Sequence, residues 1–269
     1  MLNFKKNSIF QRGGSREEEP DTDTGGVLAV WGSPGSGKTT ASVKLAKYLA
    51  DHKKNVSLLL ADMTAPMLPC ICPPGDLENE RSLGSILAAT HVSDSLIRQN
   101  CMTHKRMEHL VILGLKKGEN EYTYPPYSAV QATELIEHLR NITPYVIIDC
   151  SSYITNDILS AIALMESDSV LRLLNCDLKS ISYLSSQLPL LKDHEWDADK
   201  QYKVANNVKT YEASGYVEQI LGNVAFQIPH SSEVEQQGLE GDLLKDLSLK
   251  ESRKYRKEIE KIVGEVFEC

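Results

Sequence analysis

The sequence predicts an α/β fold: a doubly wound, mostly parallel sheet with a phosphate-binding loop and helices on both faces. Three observations carry that expectation. The apolar run 27–31 leads directly into Gly32-Ser33-Pro34-Gly35-Ser36-Gly37-Lys38-Thr39, and a helical pattern follows, the strand, loop, helix order that a phosphate loop requires. Short apolar runs then alternate with helix-length stretches through residue 227, which argues for repeated βαβ units. One of those runs, Tyr145-Val146-Ile147-Ile148-Asp149, ends in a carboxylate at the strand edge where such sheets hold their ligands.

Taken in order, residues 1–25 read as a flexible N-terminal extension. Its first part sets Leu2, Phe4, Ile9 and Phe10 among basic residues, and its second is an acidic, proline-containing linker. A frayed terminus and a segment that docks on a partner or a membrane surface are both compatible with it. Residues 26–269 then form one domain, since 269 residues with 41% hydrophobic side chains supply one sizeable core but hardly two. Residues 27–31 are a buried strand and 38–51 a helix with Val43, Ala46, Leu49 and Ala50 on one side. Strands are expected at 56–61, 109–115, 145–149, 169–174, 202–205 and 223–227, and helices at 128–140, 156–165, 180–191 and 211–221. The tail 252–268 is an amphipathic helix with Tyr255, Ile259, Ile262, Val263 and Val266 on one face.

The residue types of the loop match its chemistry. Gly32 and Gly37 let the backbone turn so that successive amides face inward, with the partial positive charge of a helix start behind them. Lys38 brings a full charge to the β and γ phosphates, and the Thr39 hydroxyl completes the coordination of Mg²⁺. Ser33, Pro34, Gly35, Ser36 and Thr40 complete the nucleotide-binding set, and Asp149 is the strand-end carboxylate that holds the Mg²⁺ hydration shell.

Charge and composition narrow the partners. A net charge of -8 sets a field that repels nucleic acid and anionic lipid, so DNA is not favoured as the main partner. No apolar run approaches the roughly 18 residues of a membrane span, and the N-terminus lacks a signal-peptide core, so a cytoplasmic protein with reduced thiols is expected. Cys70-Ile71-Cys72 would offer four thiolates in a symmetric dimer, but no second cysteine pair accompanies it, and two idle thiols are the simpler reading. His104, Lys105 and Arg106 read as surface residues.

With the phosphate loop, Leu58-Leu59-Leu60-Ala61-Asp62, Tyr145 to Asp149 and Glu166-Ser167-Asp168-Ser169-Val170 in this order, the chain resembles the ParA/MinD class of P-loop ATPases from residue 26 to about 245. Lys203-Val204-Ala205-Asn206-Asn207 and Gly222-Asn223-Val224-Ala225-Phe226-Gln227-Ile228-Pro229 extend the likeness. The resemblance implies ATP/ADP and Mg²⁺ as cofactors, Asn206 at the adenine, Pro229 beside the base, and Lys38, Asp62 and Asp149 as the catalytic set. It places Thr39, Asp62 and Asp149 at the metal, the two aspartates through water. It also implies a homodimer that recruits or positions a larger assembly. Members that position pilus or secretion machinery, called TadZ or CpaE, are the most similar, and plasmid or chromosome partition is the second candidate. In MinD relatives a terminal helix binds the inner membrane face. Here residues 252–268 would serve that contact or dock on the sheet, and Glu260, Glu265 and Glu268 favour docking.

Two departures bear on hydrolysis. Dimer-forming relatives carry a second lysine after the first glycine of the loop, where this chain has Ser33, and a second aspartate where it has Thr64. Threonine is no carboxylate base near neutral pH, so the chain is expected to bind ATP and hydrolyse it slowly. The alternative is a P-loop small-molecule kinase, suggested by Pro34. Only isolated arginines such as Arg81, Arg98 and Arg140 are present, without the arginine-rich lid that such a phosphotransferase uses.

Overall fold

Side chains alternate along the central strand, and that alternation sets the layers. In β1 (Gly26–Gly32), Leu28 and Val30 enter one apolar layer while Val27, Ala29 and Trp31 enter the other, and all five are buried. A strand buried on both faces needs helices above and below it. The computed structural model describes residues 25–79, 81–187, 189, 200–211 and 214–268.

β1 leads through the loop into α1 (Lys38–Asp51), then β2 (Val56–Leu60), α2 (Leu83–Leu87), α3 (Asp94–Asn100), β3 (Met102–His104) and β4 (Met107–Leu113). After α4 (Ala129–Ile142) come β5 (Tyr145–Asp149), α5 (Ile158–Glu166), β6 (Ser169–Leu174), α6 (Leu178–Gln187), β7 (Gln201–Val208) and α7 (Ser214–Leu221). β8 (Phe226–Pro229), α8 (Ser232–Glu240) and α9 (Arg253–Phe267) complete the chain. The sheet order is β3-β4-β2-β5-β1-β6-β7-β8, parallel throughout except for the antiparallel edge pair β3 and β4. The doubly wound, mostly parallel sheet read from the sequence is therefore the observed one.

Several expectations need correction. No elements were anticipated between 62 and 107, yet α2, α3 and β3 lie there, and α8 follows β8. β4 begins two residues before 109, and β8 occupies 226–229 instead of 223–227 because its pairing with β7 starts at Val204↔Phe226. The helix expected at 180–191 is Leu178–Gln187, with 188 and 190–199 outside the described residues, and the one expected from 211 begins at Ser214, with 212 and 213 outside them. The extension 1–24 also lies outside them. His104 is buried, not on the surface; it ends β3 and takes the Arg106 amide at Nδ1 (3.3 Å), and burial lowers its pKa.

The tail helix docks on the domain. Tyr255, Ile259, Ile262, Val263 and Phe267 are buried in the layer that also holds α1 side chains such as Leu45 and Leu49, and the Phe267 ring meets Tyr145 edge-on at 5.1 Å. Its apolar stripe is thus part of the core. Glu233, at the start of α8, holds the approach to α9 by accepting bonds from the amides of Ser248 (2.7 Å) and Leu249 (3.1 Å) and from the Ser252 hydroxyl (2.5 Å). Ile262→Ala is accordingly expected to lower unfolding free energy by about 2–4 kcal/mol in urea titration. An unchanged midpoint would mean that the helix contributes nothing to the body of the protein.

Candidate functional site

The parallel pairing of β1 with β5 places Val30 opposite Asp149, so the strand that ends in the loop and the strand that ends in the carboxylate finish side by side. At Gly32 an added Cβ would lie 2.0 Å from the Leu173 carbonyl oxygen, and at Gly37 it would lie 2.5 Å from Asn206 Nδ2. No other residue type fits either position without moving its neighbours. Gly35 is different, with no atom near its missing Cβ, and it faces a cleft. Gly37 also caps α1 in the left-handed region (φ 81°), so the helix starts at Lys38 and leaves its first amides without intrahelical partners at the loop.

Asp149 is the electrostatic centre. Its Oδ2 accepts from the Thr39 hydroxyl at 2.6 Å and its Oδ1 from Ser42 Oγ at 3.4 Å. Burial raises its pKa to about 6, against the lowering pull of the Thr39 bond and the Lys38 charge. Lys38 shares this environment: burial lowers its pKa, while Asp149 and Asp62 draw it back up. Its ammonium donates to Ser152 Oγ at 2.6 Å and lies 3.5 Å from the Ser33 carbonyl. A buried carboxylate near neutrality beside a buried ammonium can bind a divalent cation on one side and an anionic oxygen on the other.

Asp62 follows β2 and is half-buried. Its Oδ1 accepts from the amides of Thr64 (3.0 Å) and Ala65 (3.1 Å), so one oxygen shapes its own turn while its charge reaches Lys38 and Asp149. Thr64 is exposed. Ser33 is buried; its Oγ and that of Ser180 share a bond of 2.8 Å, and its amide donates to Leu173 O at 3.3 Å. It therefore faces the sheet and α6 rather than the cradle.

Asn206, near the end of β7, donates from Nδ2 to the Ser36 carbonyl at 2.5 Å. Together with Gly35, Gly37, Thr40 and Pro229 it lines a cleft of about 280 Å³, so the two residues assigned to the base open on the same space as the loop. Pro34 sits in the turn that the Ser36 amide closes on Ser33 O (3.1 Å). The cleft rim carries two buried polar atoms, Ser36 Oγ and Asn175 Oδ1, with no hydrogen-bond partner among the described residues. Orphaned groups of this kind suit an oxygen- and nitrogen-rich ligand, which supports the fit of a nucleotide. A larger groove of about 570 Å³ between α1 and α9 lies away from this chemistry. There the Lys44 amine is already held by Gln237 Oε1 (2.5 Å) and the carbonyls of Leu243 (2.6 Å) and Lys245 (3.1 Å).

Four residues were missed by sequence reasoning. Ser152 follows Asp149 by three, Asn175 directly follows the apolar end of β6 as Asn206 follows Val204 and Ala205, and Ser180 and Tyr183 lie on α6. A polar residue ending a strand at the ligand edge was a usable signal for Asn175. Nothing in the local pattern marks Ser180 or Tyr183.

In its fold the chain is similar to solved MinD and ParA ATPases. The chain belongs to the AAA domain family, whose sequence model matches residues 31–203. In fold it is similar to the cell division ATPase MinD of Pyrococcus furiosus (TM-score 0.67, 17% identity, 91% of this chain and 99% of that one covered). It is likewise similar to a ParA family ATPase from Chlorobium tepidum (TM-score 0.71, 16% identity, 87% and 96% covered). A third is the septum site-determining protein MinD of Pyrococcus horikoshii, complexed with Mg-ADP (TM-score 0.65, 16% identity, 89% and 95% covered). Among curated protein sequences none matches the chain.

Burial of Asp149 has a cost that a substitution can reveal. An acid raised from 3.8 to about 6 on folding costs nothing when both states are protonated, loses stability as pH rises between those values, and bears the full cost above about 6. That cost is at most about 3 kcal/mol. Asp149→Asn is therefore expected to raise the thermal midpoint at pH 8 and to leave it nearly unchanged at pH 4, as differential scanning calorimetry would read. Equal effects at both pH values would contradict the assignment.

Proposed function

We propose that this protein is an ATP-dependent switch, acting in the cytoplasm, which binds ATP or ADP with Mg²⁺ and controls its own association and the recruitment or positioning of a larger assembly. The observation that carries this reading is the 2.6 Å bond between Thr39 and Asp149 beside the Lys38 ammonium, because a hydroxyl in the first turn of α1 and the strand-end carboxylate then share one cation-sized focus of charge. When bound, the metal would neutralise charge on the β and γ phosphates. Thr39 would hold it directly, with Asp149 and Asp62 contributing through water. Lys38 and the amides of the loop would take the phosphate oxygens, and Asn206 and Pro229 would flank the base. The Mg-ADP complex of the P. horikoshii MinD, which shares the fold, supports the choice of ligand.

Hydrolysis is expected to be slow. Ser33 carries no charge and its hydroxyl is engaged by Ser180, while Thr64 stands exposed where a carboxylate would orient water. Binding does not need either group, so affinity and turnover separate. Pilus or secretion machinery is the assembly we favour, with plasmid or chromosome partition second.

Light scattering of wild type and Lys38→Ala with ADP, with ATP and without nucleotide tests the switch. ATP is expected to raise the mass of wild type alone, and Lys38→Ala is expected to weaken ATP by about 10- to 100-fold, the range for a lost charged hydrogen bond. An unchanged mass in every condition would remove nucleotide-gated association. Single-turnover phosphate release is expected to accelerate in Thr64→Asp, and an unaltered rate would show that the missing carboxylate does not limit hydrolysis.

A further inference from the structure

The phosphate loop is fastened to α6 at two points. Ser33 shares its hydrogen bond with Ser180 at 2.8 Å, and both side chains are buried. Ser180 is fixed in the first turn of the helix, where its amide donates to Asp177 Oδ1 at 2.7 Å. One turn further on, the Tyr183 hydroxyl donates to the main-chain carbonyl of Ser152. Ser152 then closes the circuit on the loop itself. Its Oγ donates to Gly32 O at 2.9 Å and accepts from the Lys38 ammonium at 2.6 Å.

These hydroxyl contacts add to a modest apolar packing of the helix. Within α6 only Ser180 is buried; Ile181 and Leu184 are half-buried against the layer of Leu174, Ala205 and Val217, the Tyr183 ring lies 6.0 Å from that of Trp31, and Leu178 is 81% exposed. A helix with this little apolar burial relies on its polar contacts as well for its place. Those contacts end on Ser33, which follows the first glycine, and on Ser152, which holds the lysine.

We propose that Ser180 and Tyr183 are positioning residues: through Ser33 and Ser152 they hold the loop and the Lys38 ammonium in place, so that nucleotide binding and the docking of α6 strengthen one another. Ser33 anchors the loop inward, in the same chain. This inference rests on the nucleotide-binding reading above. Coupling is reciprocal, so each site must report the other.

Hydrogen exchange of the full-length chain, with and without Mg-ATP, reads both ends. In wild type the nucleotide is expected to slow exchange across 32–40 and across Leu178–Gln187. In Ser180→Ala/Tyr183→Phe at saturating nucleotide, loop protection is expected to persist while the α6 change is lost. Two neutral hydrogen bonds removed are expected to raise the ATP dissociation constant by about 5- to 100-fold. Ser180→Thr, which restores a hydroxyl, is expected to recover most of both effects. A protected loop with unaltered α6 in wild type, or the same α6 change in wild type and double variant, would overturn the coupling alone. An unprotected loop in wild type would overturn the nucleotide reading and the coupling with it. Should the double variant fail to fold, Tyr183→Phe alone carries the same two readouts.

Discussion

The site depends on a carboxylate held dry between two strands. Asp149 can be buried because β1 and β5 run parallel with Val30 opposite it, which brings the Thr39 and Ser42 hydroxyls and the Lys38 charge within reach of its oxygens. Without those partners a buried carboxylate would protonate or unfold its surroundings. With them it remains poised near neutrality, a charge that a metal ion can take up at little further cost in dehydration. The sheet order, the glycines and the start of α1 all serve that placement.

The same geometry gathers the binding groups in one place. Everything needed to hold a phosphate chain lies on the loop and its two neighbouring strands, within one chain. Ser33 and Thr64, both neutral, have different settings: Ser33 is turned inward to α6 and Thr64 outward to solvent. The Ser33 side chain is part of the loop's own support.

The sequence made the centre of the fold legible because its strands are largely buried on both faces and read as apolar runs. β5 was therefore placed to the residue, β6 likewise although Arg172 interrupts its run, and α1 announced itself by following the loop. The helix expected from 128 is α4, and Ser128 is its N-cap, forming a capping box with Gln131. The stretch from 62 to 107 stayed blank for a physical reason. α2 has five residues and β3 three, too short for periodicity, and they are held by distant partners such as the bond from the Leu83 amide to Gly114 O at 2.9 Å. In the site, Lys38, Thr39 and Asp149 were legible because glycine spacing and strand ends carry them. Ser152, Ser180 and Tyr183 were not, since hydroxyls whose partners lie 31 to 147 residues away in the chain leave no trace in local pattern.

Calorimetric titration of ATP into the full-length protein, once with Mg²⁺ and once with a chelator, addresses the central claim most directly. The account requires binding in both conditions and a clearly tighter constant with the metal, because Thr39 and Asp149 act through it while Lys38 and the loop amides do not. No heat in either titration, or the same constant in both, would contradict it.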